Sequence, residues 1–184
     1  MTLAFDPLPD GNCQFSAMAD QFASLGIFRS FTTLRQDIVS DLVANPFSLD
    51  GTPLLHFVTD QNWDDYINEG ELGTYGDHIT LQRAAQIFQV QFLVVSTLSV
   101  DASSVVSPSG EYCEDLPTLV VGHIAEGHGD HYVSLDGQIS QYISGIQEEE
   151  SHWITSRRRI ESSPTHEFEV NSGSDHLIIH SKNV

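Results

Sequence analysis

The chain has 184 residues, enough for one domain and for two only if both are small. A chain of this size buries about two-thirds of its unfolded surface, so it can hold a core without disulfides or a metal. Its 26 acidic and 7 basic residues give a formal net charge of −19, which repels nucleic-acid phosphates and anionic membranes and favours either a basic partner or plain solubility.

Cys13 and Cys113 form no CxxC pair and no metal-ligand pattern. The opening MTLAFDPLPDGNC lacks the basic and long apolar regions of a signal peptide, and no run approaches a membrane span. The expected compartment is therefore the reducing cell interior, the cytoplasm, where a free thiol survives.

Residues 1–12 are turn-rich, with Pro7, Pro9 and Gly11. Phe15, Met18, Ala19, Phe22 and Leu25 then recur at helical spacing, and Gly26 closes the run, so Cys13 should stand at a helix N-terminus. A second helix is expected from Leu34 to about Val43, opened by a Thr33–Gln36 capping box and stopped by Pro46. A short helix is expected over Trp63–Glu69, opened by Thr59 or Asp60. Asp77 is placed to cap a further helix whose inner face holds Leu81, Ala84, Ala85 and Phe88. Phe92–Ser96 reads as a buried strand, and 99–117 as a loop or hairpin. Leu119–Val121 reads as a second strand, HIAEGHGD as a polar turn, and HYVSL as a third strand paired back on the second. This order predicts an α+β domain with a small central sheet flanked by helices, over residues 1–146. Residues 147–184 read as an acidic, partly disordered extension that ends in HLIIH. His176 and His180 there are poor metal candidates, since no further ligands lie nearby.

The chemistry concentrates on Cys13. It follows Asp10-Gly11-Asn12 and opens an amphipathic helix, whose first turn offers unpaired N–H groups and partial positive charge. A cysteine in such a place is favoured as thiolate, and the same N–H groups suit a developing oxyanion. The alternative is a small buried hydrophobe at a helix start. Among nine histidines, His131 is the best partner: it begins an apolar strand after a polar turn, where a side chain faces a loop-lined cleft. His123 and His128 read as surface histidines of that turn, and His78 as a capping or packing residue. Trp63 and Tyr66 read as core aromatics, and Gly76 as a residue chosen for backbone geometry.

Asp10-Gly11-Asn12-Cys13-Gln14-Phe15-Ser16-Ala17 resembles the DGNCxFxA signature of the ovarian-tumour (OTU) cysteine proteases. Leu34-Arg35 through Asn45-Pro46 resembles the family's next helix. Tyr75-Gly76-Asp77-His78 through Ala84-Ala85 resembles its WGxxxELxALA block, with Tyr75 for Trp and Thr80 for Glu. Gly129-Asp130-His131-Tyr132 resembles its terminal HY strand. The blocks stand in the right order over roughly residues 8–136.

The resemblance implies a papain-like OTU fold and a deubiquitinase that needs no cofactor. Cys13 would be the nucleophile and His131 the general base, with Gly11 and Asn12 in the oxyanion loop. The implied partner is ubiquitin or polyubiquitin, whose basic C-terminal tail an acidic groove would attract. The enzyme would act as a monomer, without nucleic acid or membrane. In one respect the chain departs from the family. The Asn or Asp that orients the imidazole two residues after the histidine is here Val133, which accepts no hydrogen bond. Asp10 is the obvious substitute, although it could instead brace the oxyanion loop. Asp6 or a backbone carbonyl could also hold the ring.

Overall fold

A computed structural model describes residues 1–59, 61–72, 76–98, 103–126 and 129–137, which lie within a unit spanning Met1–Ser144. The expected extension over 147–184, with His176 and His180, lies outside the described residues, as do Asp60, Tyr75 and His128.

The first element is a strand, β1 (Thr2–Phe5), where a turn-rich segment was expected. It is exposed along its length, so no buried-face alternation marks it in the sequence. Helix α1 (Cys13–Ser24) follows and buries Cys13, Gln14, Phe15, Ala17, Met18 and Phe22. Helix α2 (Phe31–Ala44) starts earlier than the Thr33–Gln36 box suggested, because Ser30 is the N-cap and its hydroxyl accepts from the Thr33 N–H at 3.1 Å. A 3₁₀ turn (Leu54–Phe57) leads to helix α3 (Trp63–Leu72). Its first turn is capped by Asn62, whose side chain accepts from the Asp65 N–H at 3.0 Å. Helix α4 (His78–Phe88) carries the expected Asp77 cap, now a full capping box with Thr80. Thr80, which stands where the family has Glu, thus fills the reciprocal role in that box.

The remaining strands are β2 (Gln91–Ser96), β3 (Ser104–Val106), β4 (Thr118–Glu126) and β5 (Gly129–Asp136). They form one mixed sheet with β1, in the order β1-β5-β4-β2-β3. Strands β2 and β4 are parallel, and every other pair is antiparallel. The polar HIAEGHGD segment is mostly strand: β4 runs through Glu126 and pairs with β5 as far as Glu126↔Gly129. One core joins the sheet to the helices. Phe92, Val94, Leu119, Val121 and Tyr132 from the sheet meet Phe15, Met18, Phe22, Leu34, Ile38 and Leu81 from the helices. The architecture is the α+β domain that the sequence predicted.

Candidate active site

Cys13 is the first residue of α1. The Gly11 turn before it needs a positive φ, +81°, which glycine adopts without a Cβ penalty. Asn12 is the N-cap, and its side chain makes no capping bond. The Asp10 carboxylate folds over this turn and accepts the Asn12 N–H at 3.0 Å. Beneath the turn lies Arg35 of α2, buried in the domain. Its guanidinium donates to the Gly11 carbonyl at 2.7 Å and to the Gly70 carbonyl at 2.6 Å. It also lies 4.0 Å above the Phe15 ring, a cation–π contact. Burial pushes the Arg35 pKa down, against the charges of Asp10 and Cys13, which push it up. Arg35 therefore locks the backbone just before the thiol.

Gln14, buried next to Cys13, donates to the Asp77 carbonyl at 3.0 Å and accepts the Thr80 hydroxyl at 2.6 Å. This explains Gly76 differently from a backbone requirement: a Cβ there would run into the Gln14 amide and the Phe15 ring. At the far end of α1, Gln21 donates to the Ser134 hydroxyl at 2.7 Å and to the Leu135 carbonyl at 2.9 Å. Ser134 in turn donates to Asp20 at 2.6 Å. The helix that carries Cys13 is thus tied along the strand that carries His131.

His131 is buried near the start of β5, and its Nε2 lies 2.8 Å from Asp6 Oδ1. Asp6 directly follows β1, and β1 pairs with β5 through Phe5↔Ser134, so the edge strand delivers this carboxylate to the ring. An ionised carboxylate only accepts, so in the neutral ring this contact favours the tautomer with the proton on Nε2 and the lone pair on Nδ1. Nδ1 is buried and has no hydrogen-bond partner among the described residues. The Cys13 Sγ sits 3.9 Å from the carbonyl oxygen of Asp130, whose peptide bond leads into His131. Cys13 and the start of β5 are thereby brought together. Asp10 is spent on the Asn12 N–H, and Val133 is buried opposite Gly122.

Cys13 is as buried as a structural cysteine would be. What sets it apart is the polar constellation on both sides: a clamped turn before it and an oriented imidazole on the neighbouring strand. The sequence leaves Asp6 as one alternative for holding the ring, assigns Arg35 no role and puts His123 in a turn. Asp6 needed the edge strand. Arg35 was visible as one of only 7 basic residues, placed beside the apolar stripe of its helix. His123, expected in a surface turn, lies inside β4 and is largely covered. Trp63 and Tyr66 do pack against the core, stacked on each other at 5.4 Å. The Tyr66 hydroxyl donates to the Asp77 carboxylate, and burial, first of all, raises the Tyr66 pKa. Burial likewise pushes Tyr132, next to His131, up to about 12.

No family model matches the chain. Over 89 residues it is 35% identical to OVARIAN TUMOR DOMAIN-containing deubiquitinating enzyme 10 of Arabidopsis thaliana, covering 48% of this chain and 23% of that protein. Over 90 residues it is 32% identical to the Arabidopsis enzyme 9, covering 48% and 24%. The chain thus spans about a quarter of the length of these curated relatives. Among solved structures, the OTU domain of OTUD1 superposes with a TM-score of 0.51 at 17% identity, over 70% of this chain and 82% of that one. An OTU deubiquitinase of Wolbachia pipientis wMel, solved bound to ubiquitin, gives 0.51 at 15%, over 73% and 95%. Helices and a five-stranded mixed sheet, carrying the cysteine and the histidine respectively, define an α+β class of fold. Within that class the fold is that of the OTU domains, and the sequence resembles OTU deubiquitinating enzymes.

Proposed function

We propose that the domain is a thiol-dependent deubiquitinase that cleaves the isopeptide or peptide bond after the C-terminal glycine of ubiquitin. The observation that carries this reading is the His131 ring: Nε2 lies 2.8 Å from Asp6, and Nδ1 is buried and unpartnered among the described residues, on the strand that approaches Cys13. In the reaction the Cys13 sulfur attacks the glycine carbonyl, and the thiol proton passes to His131 Nδ1. The C–N bond then breaks as that proton moves to the leaving amine, giving a thioester. Water deprotonated by the same nitrogen attacks the thioester and restores the thiol. The N–H groups of Gly11 and Cys13 would receive the oxyanion, on a turn held by Asp10 through the Asn12 N–H and by Arg35 through the Gly11 carbonyl. In this reading Asp6 takes the orienting role; the alternative, motivated by Val133, is a catalytically weak or inactive module of the same fold that holds ubiquitin without cutting it. The setting proposed with this activity is a cytoplasmic ubiquitin pathway.

The test is labelling by a ubiquitin probe with a C-terminal electrophile. The expected result is an adduct with the wild type that is lost in Cys13→Ala. No adduct from folded wild-type protein would contradict the reading.

A further inference from the structure

A second histidine, on the strand that pairs with the one carrying His131, has no part in the mechanism above. His123 lies on β4 directly opposite Tyr132 of β5, and the two rings are 5.1 Å apart. Its Nδ1 lies 3.1 Å from the Ser96 hydroxyl, on the register partner in β2. Its Nε2 lies 3.2 Å from Asp130 Oδ1, on the diagonal neighbour in β5. Both ring nitrogens are therefore engaged, and one imidazole spans three strands. Asp130 is the informative end. Its side chain is 59% exposed, so burial does not hold it; His123 does. Its backbone carbonyl is the group 3.9 Å from the Cys13 sulfur, and its peptide bond carries His131. Without an anchor, the end of a two-strand ladder frays.

We propose that His123 is a positioning residue of this site, a strut from Ser96 to Asp130 that fixes the Asp130–His131 peptide against the Cys13 thiol. The inference rests on the thiol-hydrolase reading for its catalytic consequence, but the strut acts on the thiol itself and has a readout that needs no ubiquitin. A shift of the base by a fraction of an ångström to one ångström slows attack steeply.

The test uses the full chain with Cys113→Ser, so that iodoacetamide reports on Cys13 alone. Rates of alkylation are compared with kcat and KM on a fluorogenic ubiquitin C-terminal amide. His123→Phe keeps a ring against Tyr132 and loses both polar contacts. It should slow alkylation and kcat together, on the order of tenfold, with KM within about twofold. Asp130→Ala should match it, and the double variant should be no slower than either single one. Asp130→Asn, which keeps an acceptor oxygen, and His123→Gln, which keeps a donor, should recover most of the rate. If His123→Phe is too unstable to study, Asp130→Ala carries the same comparison, with thermal melting as the control for folding. Wild-type alkylation and kcat in folded His123→Phe or Asp130→Ala would overturn the strut. Slow alkylation of the variants, alongside a wild type that turns over no ubiquitin amide, would support the strut and contradict the deubiquitinase reading instead.

Discussion

The nucleophile side and the base side of this site are built in opposite ways. On the nucleophile side the centre is local: Asp10, Gly11, Asn12 and Cys13 are consecutive, braced by Arg35 from α2 and, through Gln14, by Asp77 and Thr80. On the base side nothing is local. His131 is held by Asp6, which is 125 residues distant in sequence and arrives through an edge strand. A turn and a helix start can be specified by a short segment, whereas an oriented imidazole needs a carboxylate from another strand. The two halves should therefore fail differently. Damage on the base side should appear in the chemical step with the fold intact, and damage on the nucleophile side should also appear as lost stability.

The largest effect is expected from Asp6→Ala. It should lower kcat on a ubiquitin C-terminal amide by roughly 10²-fold, within the range of general-base contributions, while the melting temperature stays close to the wild type. Asp6 is 60% exposed, so little packing is lost with it. Equal losses in Asp6→Ala and Asp10→Ala would erase the distinction between the two sides.

Next comes Arg35→Met, on the nucleophile side. It leaves the Gly11 and Gly70 carbonyls without their charged donor in a buried setting, at a cost of about 2–3 kcal/mol in a denaturant titration, together with reduced activity. A fully stable but slow Arg35→Met would show that the clamp serves catalysis alone.

The smallest effect on rate is expected from Val133→Asn, which introduces the residue type that the resemblance to OTU cysteine proteases leads one to expect there. Val133 is buried, and its methyl fills the space that a Cβ on Gly122 would take. An amide placed there gains no ring to orient, since Nε2 is already bonded. It should leave kcat unchanged and destabilise the domain by about 1–3 kcal/mol. A gain in kcat would mean that Asp6 is a poor orienter.

The same contrast governs what the sequence reveals. Helix α1 and its cap position are legible because Phe15, Met18 and Phe22 recur at helical spacing behind a Gly turn. Asp77 is legible as a cap because an Asp followed by a periodic apolar run has few other uses. Strand β1 is illegible: four exposed residues become a strand only because β5 offers an unpaired edge. Asp6 was therefore one open possibility among several, with Asp10 the nearer candidate, since adjacency to Cys13 is visible and pairing across a sheet is not. His123 was misread for a related reason. The polar HIAEGHGD run looks like a turn, yet backbone pairing with β5 carries the strand through it as far as Glu126. Long-range pairing overrides local polarity there.

The central claim is that Asp6 holds the Nε2–H of His131 and leaves Nδ1 as the base. The most direct test is the nitrogen NMR signature of the His131 imidazole in its neutral form, in the wild type, Asp6→Ala and Asp10→Ala. The account predicts an Nε2–H tautomer with an unprotonated Nδ1 in the wild type and in Asp10→Ala, and loss of that tautomer's dominance in Asp6→Ala. An Nδ1–H tautomer in the wild type, or a ring unmoved by loss of Asp6, would contradict it.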